Sequence, residues 1–128
     1  MSLQSLQALE SVIDHDALLM RCLNKIDFAE RMLALFQERC IEEMSDLVGA
    51  VERRDLEAVR KIAHRMSGAC ANAAAFGLQS RVTELRKAAD GGSIDEVVER
   101  MDALELEWDR FTAAVTASDS LDTTEASK

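Results

Sequence analysis

"LEAVRKIAHRMSGACANAAAFG", residues 56–77, decides how this chain folds. Wound at about 100° per residue, Leu56, Val59, Ile62, Ala63, Met66, Cys70 and Ala73 fall on one side. Asp55, just before the stretch, has a carboxylate that can accept from the first free N–H groups of a helix. The spacing predicts an amphipathic helix over 56–74 and a break near Ala75-Phe76-Gly77. His64 lies roughly 140° from the middle of the apolar stripe, on the side expected to face water. Around it the helix is nearly bare, with Ser67, Gly68, Ala69, Ala71, Ala73, Ala74 and Ala75 following closely. Gly68 and Ala71 share its face, and Lys61 and Ser67 flank it. A glycine inside a helix costs about 1 kcal/mol relative to alanine. Its place beside an exposed histidine points to a path kept clear for a partner.

Outward from this helix, the pattern stays helical. Phe28, Met32, Leu35, Phe36, Met44, Leu47, Val48 and Val51 recur at helical spacing and predict a long helix over 27–52. A third long helix ends at Ala89-Asp90-Gly91-Gly92, where either glycine can take the left-handed C-terminal conformation. Ser93, with Glu96 in capping-box position, opens a fourth helix. It runs to about Ala117 through Ile94, Val97, Val98, Met101, Leu104, Trp108, Phe111 and Val115. Two short helical segments, roughly 3–12 and 16–24, precede the long ones. The expected fold is all-α, an up-down-up-down four-helix bundle with short N-terminal helices covering one end. Residues 1–117 form this domain, and 118–128 form a polar tail expected to be mobile.

Composition narrows the function. The 128 residues suffice for one core and are too few for two. No apolar run approaches the roughly 20 residues of a membrane span, and the N-terminus lacks the basic start and apolar centre of a secretory signal. A cytoplasmic protein without membrane contact is expected. Cys22, Cys40 and Cys70 are odd in number and show no C-x-x-C spacing, which reads as reduced, buried cysteines. No metal site is expected. His15, in Asp14-His15-Asp16, reads as a capping or surface residue. No glycine loop of a nucleotide-binding protein occurs, so the chain has no visible means of binding ATP.

Net charge is −9, which argues against nucleic acid as a partner. Between Arg53 and Lys87, however, eight basic residues stand against three acids. Arg60, Lys61, Arg65 and Arg86 belong to this cluster, which favours an acidic docking partner. Neutral imidazole is a competent nucleophile. An exposed one, without a serine–acid triad or a metal, suits the carrying of a phosphoryl group better than catalysis alone.

At these residues the chain resembles the histidine-containing phosphotransfer (HPt) domains. Family members show A-H-x-[LM]-K-G, here Ala63-His64-Arg65-Met66-Ser67-Gly68. A phenylalanine in the preceding helix matches Phe36, an asparagine eight after the histidine matches Asn72, and later apolar positions match Leu78 and Leu85. The likeness covers roughly residues 14–115. Three positions depart from it. Ser67 replaces the usual lysine, Ala74 a usual glycine, and Arg86 a common glutamate or glutamine.

The resemblance implies an intermediate phosphoryl carrier in a multistep phosphorelay, not an enzyme with its own ATP site. His64 would take the phosphoryl group from a receiver-domain aspartate and pass it to another receiver. Implied partners are response-regulator receiver domains and a hybrid histidine kinase. No cofactor of its own is implied; Mg²⁺ would sit on the receiver. Arg60, Lys61, Arg65, Ser67, Gly68, Ala71 and Arg86 are the candidates for phosphoryl or partner binding. Ser67 can donate one hydrogen bond, and Arg86 or Lys61 can supply the charge of the missing lysine. Gly68, Ala71 and Ala75 would let a receiver close over His64. A monomer is expected. A second reading is an interaction module, a scaffold or inhibitor that binds a receiver or kinase without carrying phosphate.

Overall fold

The computed structural model describes residues 2–126, with side chains through Asp119. Six helices follow in order: α1 (Leu3–Gln7), α2 (His15–Arg21), α3 (Ile26–Glu52), α4 (Leu56–Asn72), α5 (Phe76–Asp90) and α6 (Ile94–Ala126). No strand occurs among the described residues. Three-residue turns join α3 to α4, α4 to α5 and α5 to α6, which forces neighbours to run antiparallel. Consecutive long helices pack together and α6 closes against α3, giving a four-helix bundle. The covering segments pack outside it, α1 on α6 and α2 on α3.

The turns repeat one device. After α2, α3 and α4 the chain enters the left-handed region, at Leu23 (φ 56°), Arg54 (φ 57°) and Ala74 (φ 58°). In each case the next residue's N–H reaches back to a carbonyl of the last turn: Asn24 to Leu19 at 2.7 Å, Asp55 to Ala50 and Ala75 to Cys70 at 2.9 Å. These are Schellman closures, which satisfy the final carbonyls of each helix. Asp55 then caps α4, its carboxylate accepting from the Ala58 N–H at 3.1 Å. Gly92 (φ 79°) turns the chain after α5, and the Ser93 hydroxyl accepts from the Glu96 N–H at 3.2 Å to open α6.

Several expectations change in detail. The helix of residues 56–74 stops at Asn72, because the Schellman turn needs Ala73, Ala74 and Ala75. The first helix ends at Gln7, and tight i→i+3 turns continue to Val12. A three-residue repeat keeps Leu6, Leu9 and Val12 in line, and all three are buried. The second segment spans His15–Arg21 instead of 16–24. The buried stripe of α3 is Ala29, Leu33, Phe36, Cys40, Glu43, Met44, Leu47 and Ala50. Phe28, Leu35 and Val48, expected on its apolar face, are exposed. The last helix continues past Ala117 to Ala126. Ser118 there is buried and its hydroxyl donates to the Ser5 carbonyl at 2.9 Å, tying α6 to α1. The end of the polar tail, residues 127–128, lies outside the described residues.

At the bundle centre Phe111 of α6 meets Phe36 of α3 edge-on, ring centroids 5.5 Å apart, and stacks on Trp108 at 5.5 Å. Cys22, Cys40 and Cys70 are buried free thiols. A hydrogen bond with Cys40, together with burial, pushes the Cys70 thiol up, so it stays protonated and inert. Asp14 caps α2 through the Ala17 N–H, and the Asp14 N–H donates to the Ala74 carbonyl, fixing the N-terminal segment to the α4–α5 turn.

Candidate functional site

His64 lies midway along α4 on its solvent side and is exposed. The reason is local: Ala63 and Met66 on either side of it point into the core and are fully buried. One turn on, Gly68 is exposed, and a Cβ added there would meet no heavy atom within 4 Å. The glycine is therefore not required by packing inside the bundle. Ser67 and Ala71 are half-buried. Ala75 does not share this face; it is fully buried as the residue before α5.

The structure brings one candidate cation directly to the ring. Arg86 of α5 places Nη1 3.2 Å from His64 Nδ1. The Arg86 Nε lies 3.9 Å from one oxygen of Asp90, and the Arg60 Nε lies 3.9 Å from the other. Arg60 also reaches Glu57 at 3.1 Å, which Lys61 approaches at 3.7 Å. Arg60, Lys61 and Arg86 thus form a basic rim threaded by Glu57 and Asp90. Part of the positive excess read from residues 53–87 is neutralised within the fold.

Arg65 turns the other way. Its Nε lies 3.8 Å from Glu43 of α3, which also accepts from Arg39 at 3.4 Å. Glu43 is buried, and this pairing bridges α3 and α4. Glu43 sits at a core position of α3, and its one sequence signal is that it falls in register with Phe36, Cys40 and Leu47. Beyond it, Met32, Leu35, Phe36 and Arg39 of α3 and Ala69, Asn72 and Ala73 of α4 line an open groove of about 210 Å³.

His15 is not equivalent to His64. It is mostly buried, with Nε2 2.5 Å from Glu10 and Nδ1 3.0 Å from Asp16. It opens α2, while the capping is done by Asp14. No cluster of three or more potential metal ligands occurs among the described residues. No described helix is long and apolar enough to cross a membrane.

This arrangement offers an exposed imidazole on an open helix face, with a guanidinium beside one ring nitrogen and, among the described residues, no hydrogen-bond or ion-pair partner for the other. The family model of the Hpt domain matches residues 31–114, which contain all of α4 and α5 and most of α3 and α6. No curated protein matches the chain.

Proposed function

The chain belongs to the Hpt domain family, and from that premise we propose that it is an intermediate phosphoryl carrier between receiver-domain aspartates in a multistep phosphorelay, with His64 as the phosphorylated residue. The observation that carries this reading is the exposed imidazole beside an exposed glycine with open space above it. Phosphoryl transfer runs through a loose, in-line transition state and needs positioning and charge neutralisation more than covalent help. The open face lets a receiver supply both, including its Mg²⁺. In the forward step a lone pair of the His64 ring forms the N–P bond as the P–O bond to the receiver aspartate breaks. The bonding electrons leave with the carboxylate. Onward transfer is the same step reversed on a second receiver.

The chain's own contribution is the basic rim. Arg86 and Lys61 supply the positive charge that Ser67 lacks, and arginine suits phosphoryl oxygens. Ser67 adds one hydroxyl donor. Arg60, Gly68 and Ala71 belong to the surface the partner covers. Arg65 contributes at the edge of that surface, while its guanidinium also serves Glu43. A hybrid histidine kinase stands upstream and response regulators on either side; the chain acts in the cytoplasm as a monomer.

The substitution of Ser67 for lysine favours a second reading, a module that docks on a receiver without taking phosphate. Incubation with a radiolabelled phospho-receiver separates the two. The carrier reading expects label on the wild type, labile to acid and stable to alkali as a phosphoramidate is, and none on His64→Gln. Undiminished label on His64→Gln contradicts it, and no label on the wild type favours the docking module.

A further inference from the structure

We infer that Arg86 is a positioning residue that holds the neutral His64 ring in the tautomer with its proton on Nε2, so that the ring accepts a phosphoryl group only after Arg86 releases Nδ1. The second half rests on the function proposed above; the first half rests on geometry alone.

A guanidinium has donors and no acceptor. With Arg86 Nη1 3.2 Å from His64 Nδ1, the nitrogen must offer its lone pair. A neutral imidazole has one lone-pair nitrogen and one N–H, so the proton sits on Nε2. Asp90, one turn further along α5, faces the Arg86 Nε at 3.9 Å, and Arg60 faces the same carboxylate from α4. Among the described residues no carboxylate reaches His64, so nothing opposes the tautomer that Arg86 favours.

That tautomer is the unreactive one. Nδ1 is covered by Arg86. Nε2 is the nitrogen free to meet a receiver, and it carries a proton where it needs a lone pair. Uptake on Nε2 requires the proton on Nδ1, which would set a ring N–H against the Arg86 N–H. The contact must therefore open. The freed guanidinium has two acceptors at hand, Asp90 and the oxygens of the incoming phosphoryl group. In the reverse direction, departure of the phosphoryl group from Nε2 leaves a neutral imidazole only if Nδ1 holds a proton. With Arg86 on Nδ1 the leaving group would be an imidazolide anion. The same contact thus slows both loading and loss, and a docking receiver that draws Arg86 away releases both.

The test uses long-range ¹H–¹⁵N spectra of the histidine-labelled protein in the neutral-ring range, which report the proton's position on each nitrogen. Histidine in water already leans toward Nε2–H, so the variants carry the test. The wild type should show Nε2–H alone. Arg86→Met should show a mixture, a shift of about tenfold in tautomer ratio for the loss of one charge-assisted hydrogen bond. Arg86→Glu, which supplies an acceptor, should invert the preference to Nδ1–H and take up phosphate from phosphoramidate several-fold faster than Arg86→Met. Wild-type nitrogen shifts equal to those of Arg86→Met, or an Arg86→Glu ring still protonated on Nε2, would overturn the inference. Slower uptake by Arg86→Glu would overturn the link to loading. If the spectra behave as stated but a phospho-receiver never labels His64, the carrier function fails while the tautomer assignment stands.

Discussion

Gly68 separates a surface built for a partner from one that is merely helical. It sits one turn past His64, exposed, with no heavy atom within 4 Å of where a Cβ would stand. Gly68→Ala should stabilise the fold by up to about 1 kcal/mol, since glycine carries that propensity cost inside a helix. Gly68→Gln should also melt at or above the wild-type temperature. Its side chain would nonetheless lie over the approach to the imidazole, where a misplacement of about 1 Å can cost roughly a hundredfold in rate. Thermal melting and receiver-to-His64 transfer, measured on one preparation, check this. A folded variant with unchanged transfer would reduce the bare face to a run of helix-forming alanines. The exposure of His64 and Gly68 is legible in the sequence, because both lie opposite a stripe of core residues with unbroken spacing. The Arg86 contact is not. It joins residues 22 apart in sequence on different helices, and only the α4–α5 packing brings them together. Glu43 is hidden for a related reason: Arg39 is a local i,i+4 partner on α3, but the cross-helix partner Arg65 shows only once α3 and α4 are side by side.

The helix ends carry their own prediction. Arg54 and Ala74 occupy the same left-handed conformation at the ends of α3 and α4. That conformation costs a non-glycine residue about 1–2 kcal/mol. Arg54 is exposed, so Arg54→Gly removes the strain with little packing loss. Glycine's greater freedom in the unfolded chain offsets about 0.4–1 kcal/mol of the gain. The net expectation is stabilisation of roughly 0.5–1 kcal/mol. Ala74 is fully buried, and Ala74→Gly also loses a methyl contact of about 0.8 kcal/mol. It should be close to neutral. Urea midpoints with an unchanged slope check the pair; equal stabilisation by both variants would mean that the Ala74 methyl packs against nothing. The caps at Asp55 and Ser93 and the turn at Gly91-Gly92 are legible because their residue types have one strong use. The break after α4 is legible, but its start at Ala73 is not: alanine signals helix, and here the backbone closure overrides its propensity. The α3 stripe is misjudged for another reason. Exposed Phe28, Leu35 and Val48 are as apolar as the buried residues, so hydropathy alone rotates the helix toward the wrong neighbours.

Across the whole molecule, an acidic chain presents one basic rim. Arg60, Lys61 and Arg86 converge near His64, partly balanced by Glu57 and Asp90. Exposed charges of this kind act chiefly on association rate and are screened by salt. Lys61 is the clean probe, because its partner lies at 3.7 Å and both side chains are well exposed. Lys61→Glu should slow transfer from a phospho-receiver several-fold at low salt and flatten its salt dependence, with the melting temperature little changed. Stopped transfer assays at two ionic strengths check it, and an unchanged low-salt rate would make the cluster ordinary surface. Reversal at Arg65 is a poorer probe, since a second carboxylate would then face buried Glu43. The bundle, its short connections and the family are legible in the sequence at this scale. The full reach of α6 is not, because the residues beyond Ala117 lack an apolar stripe, and α1 supports part of that extension through Ser118 and Ser5.

The most direct measurement is a pulse and chase. The chain is loaded from a radiolabelled phospho-receiver, freed from it, and mixed with an unphosphorylated receiver and Mg²⁺. A carrier gives up its label to the second receiver's aspartate, leaving an acid-labile, alkali-stable signal on His64 at the start and an alkali-labile one on the receiver at the end. Label that never enters the chain, or that enters and cannot be passed on, would contradict the assignment of His64 as an intermediate in a relay.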